Sequence, residues 1–331
     1  MSGVDATTDV QRRRRRLTLA AMTIASSMIL VDQTAVPLAT PDVINGLGGR
    51  IDEAQWILTA NILPLAAFMV LGGRLGDLFG LRRVFLVGAL VFGCSTALAG
   101  SAQDMPWMIA ARAAQGTGAA LMMPNAVAIV SAVFPASERG SALGILAGAS
   151  AFFAALGPVL GGLLTSIDWR LVFWINVPLD IAAVALTLAA TPRLSAEGST
   201  SRTVDYPGVV SFALGVGGLV FGLSQGQTDG WGEPQTLVPL TAGAALLIAF
   251  IVIEIRVANP MLEFRLFRHI NFLAANLSQL LAGAIELGLG FLLPFYLLLV
   301  VGVSPAVAGI ALIPATLPII LAGPLAGRAF D

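Results

Sequence analysis

Asp32, Arg112 and Glu286 are ionisable side chains that lie deep inside long apolar runs of this chain. A charged group at the centre of a membrane-length helix costs about 2.5–3.5 kcal/mol even on a mild insertion scale, so it should face a partner or a wet cavity. A carboxyl in such a place can take up and release a proton. When ionised it can pair with a cation, so proton and cationic solute compete for one group. Asp32 and Glu286 are therefore candidates for proton and cation binding, the alternative for each being a structural hydrogen bond to a neighbouring helix. Arg112 should likewise face a partner or a wet cavity; the plain reading is one half of a buried structural ion pair, and the sequence does not name its partner.

An internal repeat ties the two carboxylates together. A shift of 254 residues lays Asp32 on Glu286, Pro64 on Pro318, Gly73 on Gly327, Arg74 on Arg328 and Asp77 on Asp331. Other chemistries are poorly served. Cys94 and His269 are the only cysteine and histidine, which rules out an internal disulfide and a Cys/His metal cluster. No nucleophile with a base or phosphate loop lies in a span, so neither an enzyme, a cofactor nor a metal is expected. Asn276-Leu277-Ser278 matches a glycosylation acceptor but falls inside an apolar run.

The elements that must hold these residues are membrane helices. Hydrophobic residues make up 57% of the 331, charged residues 11%, and mean hydropathy is +0.88, values foreign to a water-soluble domain. Runs long enough to cross a bilayer, about 20 residues each, fall near 17–39, 54–76, 83–100, 106–134, 141–165, 171–190, 207–226, 235–256, 272–298 and 305–328. They are apolar all round and rich in Ala, Leu and Gly, unlike the alternating strands of a barrel. All 18 basic residues are Arg. With the N-terminus inside, 15 of them fall on the cytoplasmic side, Arg50 and Arg170 outside, and Arg112 within a span, which sets the orientation. The run Arg12 to Arg16 then reads as a topogenic anchor rather than a nucleic-acid patch.

The repeat also divides the chain. A basic cytoplasmic N-terminus (1–16) precedes a six-helix domain (17–190); cytoplasmic links with two inserted helices occupy 191–270; the start of a second domain occupies 271–331. On this account the second copy stops four helices short, and the chain is expected to be a fragment of a longer protein.

Four motifs lie at fixed places on this frame. Gly73-Arg74-Leu75-Gly76-Asp77-Leu78-Phe79-Gly80-Leu81-Arg82-Arg83 falls between spans 2 and 3, where the plain reading is a charged turn. Arg112-Ala113-Ala114-Gln115-Gly116-Thr117-Gly118 lies in span 4. Gly157-Pro158-Val159-Leu160-Gly161-Gly162 lies in span 5, where proline removes an amide donor and bends the helix while glycines permit close packing. In span 1 stands Asp32-Gln33-Thr34, followed by Pro37, Thr40 and Pro41. With these motifs the chain resembles the major facilitator superfamily in its fourteen-helix drug:proton antiporter branch, over the whole length from Arg16 to Asp331.

That resemblance implies an all-α polytopic membrane protein in which two six-helix domains rock about a central site near the midplane. It implies efflux of hydrophobic or cationic small molecules against protons at the cytoplasmic membrane, with the bilayer as the only other partner and no nucleic acid or obligate protein partner. An exporter of one dedicated metabolite or antibiotic, or an inactive truncated relative, are the alternatives. It further implies that Gly73, Arg74, Asp77, Gly80, Arg82 and Arg83, with their repeats Gly327, Arg328 and Asp331, form an interdomain latch with Asp77 as its key carboxylate. Arg112 would take part in proton coupling, and Gly157, Pro158, Gly161 and Gly162 would mark an exporter. The sequence departs from the family pattern at Pro37 and Thr40, at Asn61 in place of a common aromatic, and at Asp180 in place of Gly. Asp180 reads either as a neutral structural residue or as a sign that the boundaries of span 6 are misplaced.

Overall fold

A computed structural model of the chain describes residues 2–50, 53–192, 205–257 and 262–303, with residues 260, 307, 311 and 314 besides. Helices α1 (Ser2–Leu47), α2 (Ala54–Phe79), α3 (Leu81–Gly100), α4 (Met105–Val133) and α5 (Ala136–Thr165) come first. The short α6 (Leu171–Trp174) and α7 (Asn176–Ala190) follow, then α8 (Tyr206–Thr228), α9 (Pro234–Arg256) and α10 (Ile270–Phe295). No strand occurs among the described residues. Among the described residues eight segments, with α6 and α7 counted as one, are long and apolar enough to cross a bilayer. The chain is a multi-pass membrane protein.

Local chemistry accounts for most of the boundaries. Asp104 caps α4 by accepting from the Trp107 amide at 2.8 Å, and Pro106 occupies the first turn, where its missing N–H costs nothing. Asp205 does the same for α8 through the Gly208 amide at 3.1 Å. Gly80, with φ of 97°, makes the reversal between α2 and α3. Two boundaries differ from the sequence expectation. Helix α1 runs back to Ser2, so the Arg12 to Arg16 run is helical rather than preceding the helix; arginine is a good helix former and no breaker separates it from Leu17. Span 6 is interrupted at Ile175, just ahead of Pro178, which cannot donate to the preceding turn. The ninth expected span is α10, which passes into a π-helical turn, Tyr296–Val301. Of the tenth only residues 307, 311 and 314 are described, and Gly327, Arg328 and Asp331 lie outside the described residues.

Two compact units divide the chain, one carrying α1 to α7 and the other α8 to α10. In the second unit α8 and α9 meet along small residues: a methyl group on Gly243 would stand 2.8 Å from the Gly215 carbonyl. Membrane helices commonly approach through such seams. In the first unit the apolar side chains form two clusters, stacked along the helices. One takes Ala21 to Ile29 of α1, Phe85, Ala89 and Phe92 of α3, and Ala119 to Val130 of α4. The other takes Val31 to Ile44 of α1, Ile57 of α2, Ala99 of α3 and Met105 to Ala111 of α4. The stretch between the clusters is where the charged residues fall.

Candidate functional site

In that gap the structure joins two of the residues singled out by sequence. The Arg112 Nη1 donates to Asp32 Oδ2 at 2.6 Å, and both side chains are almost wholly enclosed, at 1% and 2% exposure. Arg112 thereby gains the partner that the sequence could not supply. Its Nε donates to the Ile57 carbonyl of α2 at 3.0 Å, and its guanidinium lies 5.9 Å from the centre of the Phe173 ring of α6. That distance is suited to a cation–π contact.

Gln115 closes the arrangement. It stands three residues after Arg112 and so shares its helix face. Its Oε1 accepts from Arg112 Nη1 at 2.5 Å, while its Nε2 donates to Asp32 Oδ1 at 3.1 Å and to Thr96 Oγ1 at 2.7 Å. The amide orientation follows from charge, because its oxygen faces the guanidinium and its N–H groups face the carboxylate. Asn61 of α2 donates to the Arg112 carbonyl at 3.4 Å. Side chains or carbonyls from α1, α2, α3 and α4 therefore converge in a layer between two apolar clusters. Such a layer is an ionic and hydrogen-bonded unit, in which the ion pair and the amide of Gln115 support one another.

Glu286 lies in α10, in the other unit, and its side chain is outside the described ones. The Gly73 to Arg83 motif forms the end of α2, the Gly80 turn and the start of α3. Asp77 is exposed there, and among the described residues no ion pair joins it to Arg82 or Arg83. Arg82 instead donates through Nη2 to the Leu188 carbonyl at 2.9 Å, at the C-terminal end of α7, where a cation meets the negative end of the helix dipole. Asn125 of α4 holds the α2 side of the motif, its Nδ2 donating to the Gly72 carbonyl at 2.8 Å. In α5, Gly157 and Gly161 are buried against α1, Pro158 is buried as well, and Gly162 is half-buried.

Asp180 is buried at the middle of the segment Leu171–Ala190, so a misplaced boundary does not explain it. Its carboxyl packs on Gly93 of α3, where a Cβ would overlap Oδ2, and Oδ1 is without a hydrogen-bond partner among the described residues. Gly93→Ala is expected to destabilise the folded protein by about 1–3 kcal/mol, the usual cost of overpacking. Asp180→Ala should relieve that cost in the double mutant. Thermal unfolding of the four variants in detergent measures the cycle, and additive effects would show that the two residues do not press on each other.

Of these contacts, Gln115 lies in the Arg112 to Gly118 motif, while Thr96 and the Ile57 carbonyl carry no motif at all. The one signal for Thr96 was a pair of hydroxyls, Ser95 and Thr96, in an otherwise apolar span.

A bundle of membrane-spanning helices with an enclosed charged layer defines a membrane protein built to hold charge away from lipid. The chain matches the Major Facilitator Superfamily over residues 21–331, and it belongs to that family. It is 32% identical over 311 residues to the tetracenomycin C resistance and export protein of Streptomyces glaucescens, covering 94% of this chain and 58% of the relative. To the puromycin resistance protein pur8 of Streptomyces alboniger it is 36% identical, covering 91% and 60%. To the multidrug resistance protein Stp of Mycobacterium tuberculosis it is 32% identical, covering 96% and 59%. The chain thus spans about 60% of the length of these curated relatives. A crystal structure of the peptide transporter POT in complex with sulfate superposes with a TM-score of 0.56 at 18% identity, covering 92% of this chain and 68% of that one. The likeness supports the fold.

Proposed function

We propose that this chain belongs to a proton-coupled exporter of hydrophobic or cationic small molecules in the cytoplasmic membrane, working by alternating access with its N-terminus inside. The observation that carries the reading is the enclosed Asp32–Arg112 pair. In the outward proton-loaded state Asp32 is neutral and Arg112 rests on Ile57 and Gln115; on proton release the ion pair closes again. Each closure changes how α1 and α4 bind one another, which is a means of linking proton occupancy to helix packing. Glu286, its counterpart by the repeat, serves as the second cation or proton group, and the Gly73 to Arg83 turn serves as one half of a cytoplasmic latch. On this reading residues 17–190 are the first transport domain, 191–270 the links with two inserted helices, and 271–331 the start of the second domain in a fourteen-helix plan.

Relatives named for one antibiotic, such as the tetracenomycin C export protein, favour a second reading in which a single metabolite is the cargo. The two readings share a mechanism and differ in substrate range. Efflux of a panel of cationic dyes from cells expressing the gene separates them: the first requires extrusion of several dyes, abolished by a protonophore. Glu286→Gln should lower that extrusion less than a change at Asp32. Full activity under protonophore would sink proton coupling for either cargo.

A further inference from the structure

The contact between α1 and α5 shows what the Gly157-Pro158 motif is built around. In an α-helix the amide of residue 158 would bond to the carbonyl of Ala154, and proline has no N–H to give. Thr34 of α1 supplies the missing donor, its Oγ1 standing 2.8 Å from the Ala154 oxygen. The same hydroxyl lies 3.1 Å from the Leu30 carbonyl and 3.2 Å from that of Val31 in its own helix. A hydroxyl carries one hydrogen, and the shortest of the three contacts is the one that crosses to α5. Gly157 is what makes room for it, because a Cβ there would overlap the Thr34 Oγ1. One turn further on, a Cβ at Gly161 would stand 2.6 Å from the Ala35 carbonyl, so α1 stays pressed against α5 past the bend.

We propose that Thr34 is a positioning residue, which ties the Asp32 turn of α1 to the bend of α5 by donating the hydrogen bond that Pro158 cannot. Asp32 lies two residues before Thr34, on the same helical turn. A carboxyl that must pair with Arg112 at 2.6 Å has little tolerance for a shift of α1 along α5. The inference rests on the proton-coupling reading of Asp32.

The test uses Thr34→Val, Thr34→Ser, Pro158→Ala, the double variant Thr34→Val with Pro158→Ala, and Asp32→Asn. Each is scored for thermal unfolding in detergent and for proton-driven dye efflux in cells. Thr34→Val keeps the side-chain volume but not the donor, and efflux should fall by about tenfold or more, the scale on which small misplacements of a working group are felt. Thr34→Ser should retain most of the activity. In the double variant the new amide at position 158 takes over the Ala154 carbonyl, so the unfolding midpoint should return to the wild-type value while efflux stays low, since the tie to α1 is still cut. Efflux that recovers together with the midpoint would overturn the proposal, reducing Thr34 to a filler of an empty acceptor. Wild-type efflux in Thr34→Val would overturn it as well. The Asp32→Asn arm reports on the underlying reading separately: if proton-driven efflux survives there, proton coupling at Asp32 fails whatever Thr34 does.

Discussion

Asp32→Asn is expected to reduce proton-driven efflux to the background of cells lacking the gene, a fall of about tenfold or more, while the protein still reaches the membrane in normal amount. Asparagine imitates the neutral carboxyl, the state that the proposed proton-coupled cycle visits. With its oxygen toward Arg112 it can accept from Nη1 much as Asp32 Oδ2 does at 2.6 Å, and Arg112 keeps its bonds to the Ile57 carbonyl at 3.0 Å and to Gln115. The one bond given up is that from Gln115 Nε2, which Asp32 Oδ1 accepts at 3.1 Å, because the asparagine Nδ2 would face it as a second donor; the other contacts of the layer support a neutral group at this position. Exchange of the proton is what disappears. Each pH unit across the membrane offers about 1.4 kcal/mol per proton, and a carrier whose proton site cannot titrate has no access to it. Efflux down a substrate gradient should survive and should be insensitive to protonophore. Measuring uptake and extrusion of one dye with and without a pH gradient tests both statements, and gradient-driven extrusion by the Asn variant at the wild-type rate would remove Asp32 from the mechanism.

How much of this site could be read from the chain alone follows from the range of the interactions that build it. Span positions were legible because they depend on runs of like residues: α2, α3, α4, α8 and α9 begin and end within a few residues of the apolar runs that announced them. The charged members of the buried layer were legible because a charge in an apolar run must have a reason to be there. Their pairing was not, because Asp32 and Arg112 are 80 residues apart and no local rule links them. Thr96 was hidden for a related reason: a threonine in a helix can satisfy itself on its own preceding turn, as Thr187 does on the Ala183 carbonyl at 2.7 Å, so the residue type announces nothing. Asp180 stands out in the sequence as a carboxylate within span 6 and is buried, but the glycine it packs on, Gly93, belongs to another helix.

Arg112→Ala should cause the largest loss of stability in the first unit, about 3–5 kcal/mol, the range seen when one partner of a buried ion pair is removed. Three acceptors would lose their donor at once: Asp32 Oδ2, Gln115 Oε1 and the Ile57 carbonyl. A void would open as well, because Arg112 is among the largest fully buried side chains of the protein, and the stacking partner of Phe173 would go. The expected readouts are a fall of roughly 10 °C in the unfolding midpoint and poor recovery of folded protein from membranes. Arg112→Lys should fall between the two, since an ammonium keeps the charge but cannot fork to Ile57, Asp32 and Gln115 together. Adding Asp32→Asn to Arg112→Ala removes the uncompensated carboxylate, so the double variant should unfold at a higher temperature than Arg112→Ala alone although it cannot couple. That inversion distinguishes a pair held by charge from two residues that only fill space. If Asp32→Asn instead lowers the midpoint of Arg112→Ala further, the carboxylate is held by other groups, and the ion pair is not what organises the layer between the two apolar clusters.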